Sequence, residues 1–466
     1  MANKSPSSIS GFVEWSPGQK VVEAQMIARM RELFGLFGFA ELETSAVERL
    51  ETLCAKGVAQ HEIYALQRLA REDESGKGGK RGETPPPSLG LHFDLTVPLA
   101  RYVAQHKDRL PFPFRRYQMQ KVWRGERPQA GRFREFYQCD ADIIDLTRLS
   151  LVHDADILVL ASRVLAGLDV GDFTIRINHR RVLEGLILAH GYASAQVPRV
   201  MQSLDRLDKV GTARVAADLA DIAKAADGQR LLATVTAPRP LAALDHLDQR
   251  SEPVALPDNT PLTTGLAQLR ELLDLVVALG GEPSHFQVDL SIARGLAYYT
   301  GMVFETSLAD FPDLGSVCSG GRYDELGGQF GGVSLPGVGM SLGLSRLLDG
   351  VFRQRAAQDF PGAAVLVVAL GADQRPAALA ALNHLRRSGV AAVYDPDDHK
   401  KPADKLRRAV RGGHRLIALI GEQEAQDRTV SLKRLSDGYQ IKVPVDALAD
   451  HAQALLRESS SPSRGS

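Results

Sequence analysis

The sequence has few cysteines and no long apolar run, and these two absences narrow the class of protein. Its 466 residues include only three cysteines, Cys54, Cys139 and Cys318, and none belongs to a Cys-x-x-Cys pair. This pattern supports neither a disulfide framework nor a zinc ribbon, and free thiols are typical of the reducing cytoplasm. No apolar run approaches the roughly 20 residues that span a bilayer. Residues 1–19 lack the apolar core of a signal peptide. We therefore expect a cytoplasmic protein without a membrane segment.

An excess of charge is also missing, because 56 basic residues balance 56 acidic ones and the formal net charge is zero. This balance argues against an obligate polycation, but it leaves room for a local basic face that engages phosphates. Apolar residues make up 44% of the chain and charged residues 24%, which is ordinary for a folded protein. The length exceeds what one compact core organises, so we predict two or three domains.

Strand and helix patterns divide the chain near residues 353–362, where a polar stretch ends at Pro361 and Gly362. Before this boundary, residues 117–123 and 133–144 predict an antiparallel hairpin, and further strand signals follow at 286–290 and 298–305. Residues 193–275 are rich in Ala, Leu, Arg and Asp and predict an inserted helical module. We therefore predict a first domain over residues 1–355 that contains this insertion.

Beyond the boundary the pattern changes to alternating strands and helices. Strands are predicted at residues 365–370, 391–394 and 416–420, with helices at 374–388 and 403–410. This alternation predicts a small α/β domain over residues 361–450. Residues 458–466 are rich in serine and predict a disordered tail.

The predicted hairpin carries the most informative motif, in which four arginines lie within the eleven residues 124–134. Guanidinium groups suit phosphate oxygens because their planar fork donates two hydrogen bonds and stays charged. A solvated basic hairpin is the simpler interpretation. However, Glu126, Phe136, Gln138 and Asp142 are spaced by even numbers of residues, and alternate strand positions point into one common space. The pattern therefore favours a binding site.

This segment resembles motif 2 of the class II aminoacyl-tRNA synthetases. The resemblance implies that Arg124 contacts the α-phosphate of ATP and that Arg132 reaches the terminal phosphate. It also implies that Glu126 binds the adenine amino group and that Phe136 stacks on the adenine ring. The family resemblance thus implies that ATP, with Mg²⁺, is a substrate, and it implies no metal ligated by the protein.

Residues 337–347 are similar to motif 3 of the same class, in which a glycine-rich strand leads into a helix. Many packed strand–helix corners contain glycine and one arginine, so this segment is informative only together with the hairpin. The resemblance implies that Arg346 covers the bent ATP from the side opposite the hairpin.

Two further segments, residues 293–301 and 320–324, resemble the histidine-specific motifs of the histidyl-tRNA synthetases. By itself the pair Tyr298 and Tyr299 would predict a sheet face packed on a core. The resemblance implies instead that both tyrosines frame an imidazole ring. It implies that Arg294 stabilises charge near the α-phosphate and the substrate carboxylate, a role that a metal ion plays in related enzymes.

The remaining contacts to histidine come from the same resemblance. Asp142 would meet the imidazole ring, and Gln138 would meet the α-amino group. Asp94, Leu95 and Thr96 form a second contact to this amino group, although Asp94 alone would predict a helix cap. A pocket with polar partners for both ring nitrogens rejects apolar isosteres, because these would leave buried polar groups unpaired.

The region from about residue 363 to 445 resembles the anticodon-binding domain that several class II synthetases share. It contains a basic stretch with a single acidic residue, Asp404. Such a stretch would attract RNA independently of sequence, although a solvated helix face is the alternative. The basic residues are Lys400, Lys401, Lys405, Arg407, Arg408, Arg411 and Arg415.

The resemblance spans nearly the whole chain, from about residue 11 to 445, and implies an α+β fold. This fold would combine a class II catalytic domain on an antiparallel sheet, a helical insertion and a C-terminal α/β anticodon-binding domain. The implied activity is that of a histidine–tRNA ligase, which activates L-histidine with ATP and transfers it to tRNA(His), usually as a homodimer.

Two other functions remain open at this point. Synthetase-like regulatory subunits of a histidine-biosynthesis enzyme bind histidine as a signal, but they typically lose the C-terminal domain and the ATP-binding arginines. This chain keeps both features. A free-standing enzyme that loads a carrier other than tRNA is disfavoured by the basic C-terminal region.

Overall fold

The chain divides into two compact units, Met1–Glu14 with Gln25–Gln354 and Trp15–Ala24 with Arg355–Ser466. The computed structural model describes residues 7–54, 62–67, 87–224, 226–237, 261–293, 295, 298–324, 334–354, 362–397 and 401–458. None of the helices in these ranges combines the length with the apolar composition that a membrane span requires. The predicted tail after residue 458 lies outside the described residues.

The first unit contains two sheets. In chain order its strands are β1 Ala40–Glu41, β2 Val47–Arg49, β3 Ala65–Leu66, β4 Leu89–Leu91, β5 Phe114–Trp123, β6 Glu135–Ile144, β7 Phe173–His179, β8 Phe286–Val288, β9 Met302–Leu308, β10 Cys318–Tyr323 and β11 Gly337–Gly343. Eight of them form a sheet in the order β1-β5-β6-β11-β10-β9-β7-β8, and β2-β4-β3 form a small one. The large sheet is antiparallel except at its two edges, where β1 pairs with β5 and β7 with β8 in parallel. The prediction of an α+β fold on an antiparallel sheet is confirmed.

The two faces of the large sheet differ in polarity because side chains alternate along each strand. On β6, Cys139, Ala141 and Ile143 are buried apolar residues on one face, whereas Gln138 and Asp140 lie on the other. The helix Val152–Gly167 packs against β6, β10 and β11. This helix is apolar on nearly all sides, so it is buried in the core. The polar face of the sheet is not the face that packs on this helix.

One α-helix, Pro17–Leu36, begins in residues 15–24 of the second unit and continues into the first. The other α-helices of the first unit are Leu50–Leu53, Thr96–His106, Val152–Gly167, Arg180–Ala189, Val197–Leu204, Leu207–Val210, Thr212–Ile222, Gly228–Thr236, Pro261–Ala278 and Leu344–Gln354. In the described part of the predicted insertion, all regular secondary structure is helical. Residues 225 and 238–260 lie outside the described residues. The helices Arg180–Ala189 and Pro261–Ala278 cross at Gly185, where an added Cβ would lie 2.4 Å from the Leu262 Cβ atom.

One strand begins later than the sequence predicts. The pattern at residues 298–305 predicts a strand that includes both tyrosines, but β9 begins at Met302. The amides of Tyr298 and Tyr299 instead donate to the Gly295 carbonyl, at 2.7 and 2.8 Å. Gly295 has a φ of +70°, a conformation that glycine adopts readily, and so closes a turn here. The two tyrosines therefore lie in a turn in front of the strand.

The second unit is a five-stranded sheet with helices. Its strands are β12 Val365–Ala369, β13 Ala392–Tyr394, β14 Leu416–Ile420, β15 Thr429–Arg434 and β16 Gln440–Pro444, and its helices after residue 361 are Arg375–Arg387, Pro402–Arg411, Glu422–Asp427 and Leu448–Glu458. The strand order is β13-β12-β14-β15-β16, parallel up to β14 and antiparallel beyond it. The alternating pattern predicts the parallel part, whereas β15, β16 and the last helix have no counterpart in the prediction.

Candidate active site

A cavity of about 380 Å³ lies over the polar face of the large sheet. It is bordered by the segment before the helix Thr96–His106, by the β5–β6 hairpin, and by β6, β10 and β11. Most of the predicted site residues line it, namely Asp94, Thr96, Arg124, Glu126, Arg132, Phe136, Gln138, Tyr298, Tyr299 and Arg346. The fold therefore brings together residues that are more than 200 positions apart in sequence.

Arg124 is held from three sides at the end of β5. Its Nε donates to the Phe93 carbonyl at 2.9 Å, and Nη2 donates to Gln138 Oε1 at 3.1 Å. The guanidinium carbon lies 5.1 Å from the centre of the Phe136 ring. Because these contacts fix the guanidinium before any ligand arrives, Arg124 presents an oriented positive charge to the cavity.

Two further arginines enclose the same end of the cavity. Arg132 lies 3.7 Å from Glu126 across the hairpin, a loose ion pair between half-buried side chains. Arg346 projects from the helix Leu344–Gln354, and its Nε donates to the Gly131 carbonyl at 2.9 Å. Its Nη1 also donates to the Ser316 carbonyl. Three guanidinium groups and one carboxylate at this end provide a net positive charge that suits a polyanion.

A row of polar side chains crosses the polar face of the sheet from strand to strand. Asp140 is paired in register with Gln118 on β5 and with Ser341 on β11. Ser341 is paired with Ser319, which is paired with Glu305 on β9. Residues directly opposite each other on neighbouring strands point to the same face, so these side chains form a continuous polar row under the cavity.

Asp142 lies on the same face of β6 but does not belong to the residues that line the cavity. One oxygen accepts from Arg116 at 2.8 Å, and the other accepts the Tyr323 hydroxyl at 2.6 Å. Arg116 is fully buried and also reaches the Leu95 carbonyl at 3.4 Å. An added Cβ at Gly339 would lie 2.1 Å from the Asp142 carboxylate, so only glycine leaves room for it. Asp142 is therefore engaged within the protein.

Asp140, which the motif comparison with the family did not single out, does line the cavity. It is only 3% exposed, and burial raises its pKa to about 7, although the charge of Arg116 opposes this shift. Gln138 Nε2 lies 3.5 Å from the Asp140 carboxylate and donates to Ser341 at 2.7 Å. The even spacing of Gln138, Asp140 and Asp142 was the available signal, because it places all three on one strand face.

The two tyrosines also line the cavity, and their rings meet edge to face with centres 5.1 Å apart. Desolvation raises the pKa of both hydroxyl groups, so they stay protonated at neutral pH and act as hydrogen-bond donors. An added Cβ at Gly321 would lie 2.8 Å from the Tyr299 ring, which explains a glycine in the second histidine motif. Arg294 lies outside the described residues.

The contacts of the segment Asp94 to Thr96 agree with both predictions for it, a helix cap and a part of the binding site. Asp94 accepts the Val97 amide at 3.1 Å, so it caps the helix Thr96–His106, and it also lines the cavity. Thr96 lines the cavity as well. Leu95 is fully buried and contributes through its carbonyl, which accepts from Arg116. In the described part of the chain, no cluster of His, Cys, Asp and Glu side chains could hold a metal ion.

The basic stretch of the second unit is less uniform than its sequence suggests. Lys405 is fully buried and donates to the Ala369 carbonyl at 2.8 Å. Arg408 pairs with Asp395 at 2.6 Å, and Arg407 pairs with Asp404. Arg415 donates to the Leu456 carbonyl. Among the described residues of this stretch, Lys401 and Arg411 are exposed and form no ion pair with a described residue, while Lys400 lies outside the described residues. The stretch therefore does not present all of its basic residues at the surface.

Comparison with known proteins gives one family for almost the whole chain. A family model described as histidyl-tRNA synthetase matches residues 11–347, and one described as anticodon binding domain matches residues 364–455. The chain is 37% identical to a histidine–tRNA ligase from Nostoc sp. over 97% of both chains. It is 42% identical to one from Thermobifida fusca over 82% of this chain and 85% of the relative.

Solved structures agree with this result. The crystal structure of histidyl-tRNA synthetase from Nostoc sp. PCC 7120 superposes with a TM-score of 0.82 at 34% identity, covering 98% of this chain and all of that one. A Bacillus halodurans structure described as an ATP phosphoribosyltransferase regulatory subunit/histidyl-tRNA synthetase has a TM-score of 0.69 at 20% identity. It covers 90% of this chain and 98% of that one, and at this identity the likeness concerns the fold alone.

Proposed function

The chain belongs to the histidyl-tRNA synthetase family, and on this premise we propose that it activates L-histidine with ATP and transfers it to tRNA(His). The observation that carries the proposal is the polarity of the cavity. Arg124, Arg132 and Arg346 line it, and so do the carboxyl groups of Asp94 and Asp140 and two tyrosines. One cavity thus offers sites for a polyphosphate and for an amino acid side by side.

The hairpin end would bind ATP. We propose that Arg124 contacts the α-phosphate and that Arg132 and Arg346 hold the outer phosphates and cover the bent nucleotide. Phe136 would stack on the adenine, and Glu126 would accept from its amino group. Mg²⁺ would enter with ATP as part of the substrate and bridge phosphate oxygens. The contacts that already fix Arg124 support this assignment, because an oriented cation stabilises charge without rearranging.

In the first step an oxygen of the histidine carboxylate attacks the α-phosphorus. The bond between this phosphorus and the bridging oxygen breaks, and pyrophosphate leaves while histidyl-adenylate forms. Carboxylate and phosphate repel each other, so cationic groups at this point are a chemical requirement. We propose Arg124 and Arg294 for this role. In the second step a ribose hydroxyl of tRNA attacks the carbonyl carbon of the adenylate, and AMP leaves.

The end of the cavity over the sheet would bind histidine. We propose that Tyr298 and Tyr299 frame the imidazole ring. We also propose that Asp142 is the acidic partner of this ring and acts together with Tyr323. Gln138 and the segment 94–96 would receive the α-amino group. Selection follows from these polar partners, because an apolar amino acid of similar size would leave them unpaired.

The second unit would serve the tRNA, consistent with its match to an anticodon binding domain. We propose the functional division as residues 1–355 for catalysis, with the helical insertion at about 193–275, and 361–450 for the anticodon. We also propose that the enzyme works as a homodimer in the cytoplasm, as the family resemblance implies.

A regulatory role is the second candidate, because a neighbour in the fold comparison carries that description in part. A histidine sensor has no need for a triphosphate site. Arg124, Arg132 and Arg346 all line the cavity, and they favour the enzyme.

The test is amino-acid-dependent exchange between ATP and labelled pyrophosphate, with all twenty amino acids and without tRNA. We expect exchange with histidine only, followed by charging of tRNA(His) when tRNA is added. Binding of histidine without any exchange would instead support the regulatory role. Exchange with another amino acid would refute the proposed substrate.

A further inference from the structure

Asp140 is the most deeply buried carboxyl group on the cavity wall, and the proposed function gives it no task. The other carboxyl groups there are Asp94 and Glu126. Asp94 caps a helix and Glu126 faces Arg132. Among the described residues no cation forms an ion pair with Asp140, which is unusual because a buried carboxyl group is normally paired.

The nearest buried cation is already used. Arg116 forms its ion pair with Asp142 at 2.8 Å, and the Tyr323 hydroxyl occupies the second Asp142 oxygen. With Asp140 and Asp142 both ionised, the three buried groups carry one net negative charge. The titratable neighbours that influence Asp140 or are influenced by it are Arg116, Asp142, Asp94, Tyr299 and Cys318. Among the described residues, this buried group therefore has one carboxylate more than it has cations.

The surroundings of Asp140 match the hydrogen-bonding needs of an ammonium group. Such a group has three N–H donors and no acceptor. Gln138 lies next to Asp140 on the same strand face; its Nε2 donates to Asp140 Oδ1 over 3.5 Å, and its Oε1 accepts from Arg124. Asp94 lies on the same cavity wall and close enough to influence the pKa of Asp140. Two carboxylates and one amide oxygen thus converge on one part of the cavity.

We propose that Asp140 is a substrate-binding residue that receives the α-ammonium group of histidine, together with Gln138 and Asp94. This inference rests on the proposed function and adds a residue that the family motifs did not assign. The incoming ammonium balances the extra negative charge of the described groups Arg116, Asp140 and Asp142. A ligand without this group leaves Asp140 uncompensated, so Asp140 makes the site selective for α-amino acids over their des-amino analogues.

The test compares two ligands that differ only in the amino group. Histidine is measured as substrate in pyrophosphate exchange, and 3-(imidazol-4-yl)propanoate is measured as a competitive inhibitor. For Asp140→Asn we expect the KM for histidine to rise about 10- to 100-fold, the range for a lost charged hydrogen bond. The KM for ATP and the inhibition constant of the propanoate should change by no more than about twofold, within the error expected for a group that neither ligand contacts.

Each other outcome overturns the inference in a recognisable way. An equal loss of affinity for histidine and for the propanoate would assign Asp140 to the imidazole ring or to packing. An unchanged KM for histidine would show that Asp140 does not contact substrate. If the wild-type protein shows no histidine-dependent exchange, the proposed function fails instead, and this result is independent of the variant.

A second measurement needs no variant and covers the case in which Asp140→Asn does not fold. The probe is 3-(1,2,4-triazol-3-yl)alanine, whose ring stays neutral near pH 7 and so does not titrate together with the protein. Because the pKa of Asp140 is about 7 in the empty cavity, we expect the affinity of the wild type for this probe to fall as the pH drops below 7. The affinity for the matching des-amino triazole should not follow this curve. Parallel curves for both compounds would contradict the inference.

Discussion

The large sheet of the first unit and the sheet of the second unit differ in where their polar side chains lie. The large sheet has a polar row on one face, and a cavity of about 380 Å³ lies over it. The second sheet packs apolar clusters on both faces. Its buried polar side chains, such as Lys405 and Asp395, are bonded within the unit. This contrast supports the proposal that small-molecule chemistry occurs at the first sheet and that the second unit binds its ligand through its surface.

The buried polar residues of the two sheets should also differ in their effect on the stability of the protein without ligand. Asp140 forms no ion pair with a described residue, so when ionised it should cost stability in the empty protein, and the proposed cationic ligand group should recover this cost on binding. Lys405 makes its hydrogen bond in the absence of any ligand. Variants of the two sheets should therefore separate into those that impair binding and those that impair folding.

The largest effect should come from Arg124→Ala. We expect the rate of pyrophosphate exchange to fall about 10³-fold, or about 4 kcal/mol, because an oriented cation is lost at the reacting phosphate. Arg127→Ala is the matched control, since Arg127 is an exposed arginine of the same hairpin. Equal losses in both variants would mean that the hairpin acts only through its overall charge.

Asp142→Asn should impair folding more than binding. It leaves Arg116 buried without its ion pair, and we expect a loss of about 3 kcal/mol in the free energy of unfolding. Urea denaturation of the wild type and the variant measures this loss. An unchanged unfolding midpoint combined with a higher KM for histidine would place Asp142 among the ligand contacts alone.

Arg294→Ala tests the second of the two cations that we propose at the α-phosphate. We expect adenylate formation to fall by at least about 10²-fold, which corresponds to about 2.7 kcal/mol of transition-state stabilisation. Single-turnover formation of the adenylate measures it without contributions from product release. A normal rate would remove Arg294 from the mechanism.

A smaller effect should come from the surface of the second unit. Replacing Lys401 and Arg411 together with alanine should raise the KM for tRNA about threefold to tenfold and reduce its salt dependence. Exchange without tRNA should stay unchanged. Lys405→Met is the control, because this lysine is buried and should affect thermal stability but not the salt dependence. A salt dependence altered by Lys405→Met would contradict the distinction.

The last prediction concerns the stability of Asp140→Asn without ligand. Burial raises the Asp140 pKa from 3.8 to about 7 in the folded state, so the folded protein binds the extra proton between these values. This contribution makes the wild type lose stability as the pH rises from 3.8 to 7. The variant lacks it, so its Tm should exceed that of the wild type at pH 8 and match it near pH 4. A lower Tm at pH 8 would contradict an uncompensated carboxyl group.

Much of the fold follows from local patterns, and the strand Leu416–Ile420 is bounded as predicted. The roles of Asp140 and Asp142 could not be separated in this way. Their even spacing puts both on one face, and only the register of β6 with β5 places Arg116 opposite Asp142. The composition of a basic stretch also does not distinguish a buried lysine from an exposed one. The position of Lys405, one helical turn before the buried Ala409, is the signal that could have revealed its burial.

The most direct test of the account is a crystal structure with ATP and histidinol, which keeps the imidazole and the ammonium group but lacks the reactive carboxylate. We predict the phosphates at Arg124, the adenine over Phe136, and the ammonium within hydrogen-bonding distance of Asp140. A nucleotide bound away from the hairpin, or an ammonium group that Asp140 does not contact, would contradict the division of the cavity that underlies the proposed function.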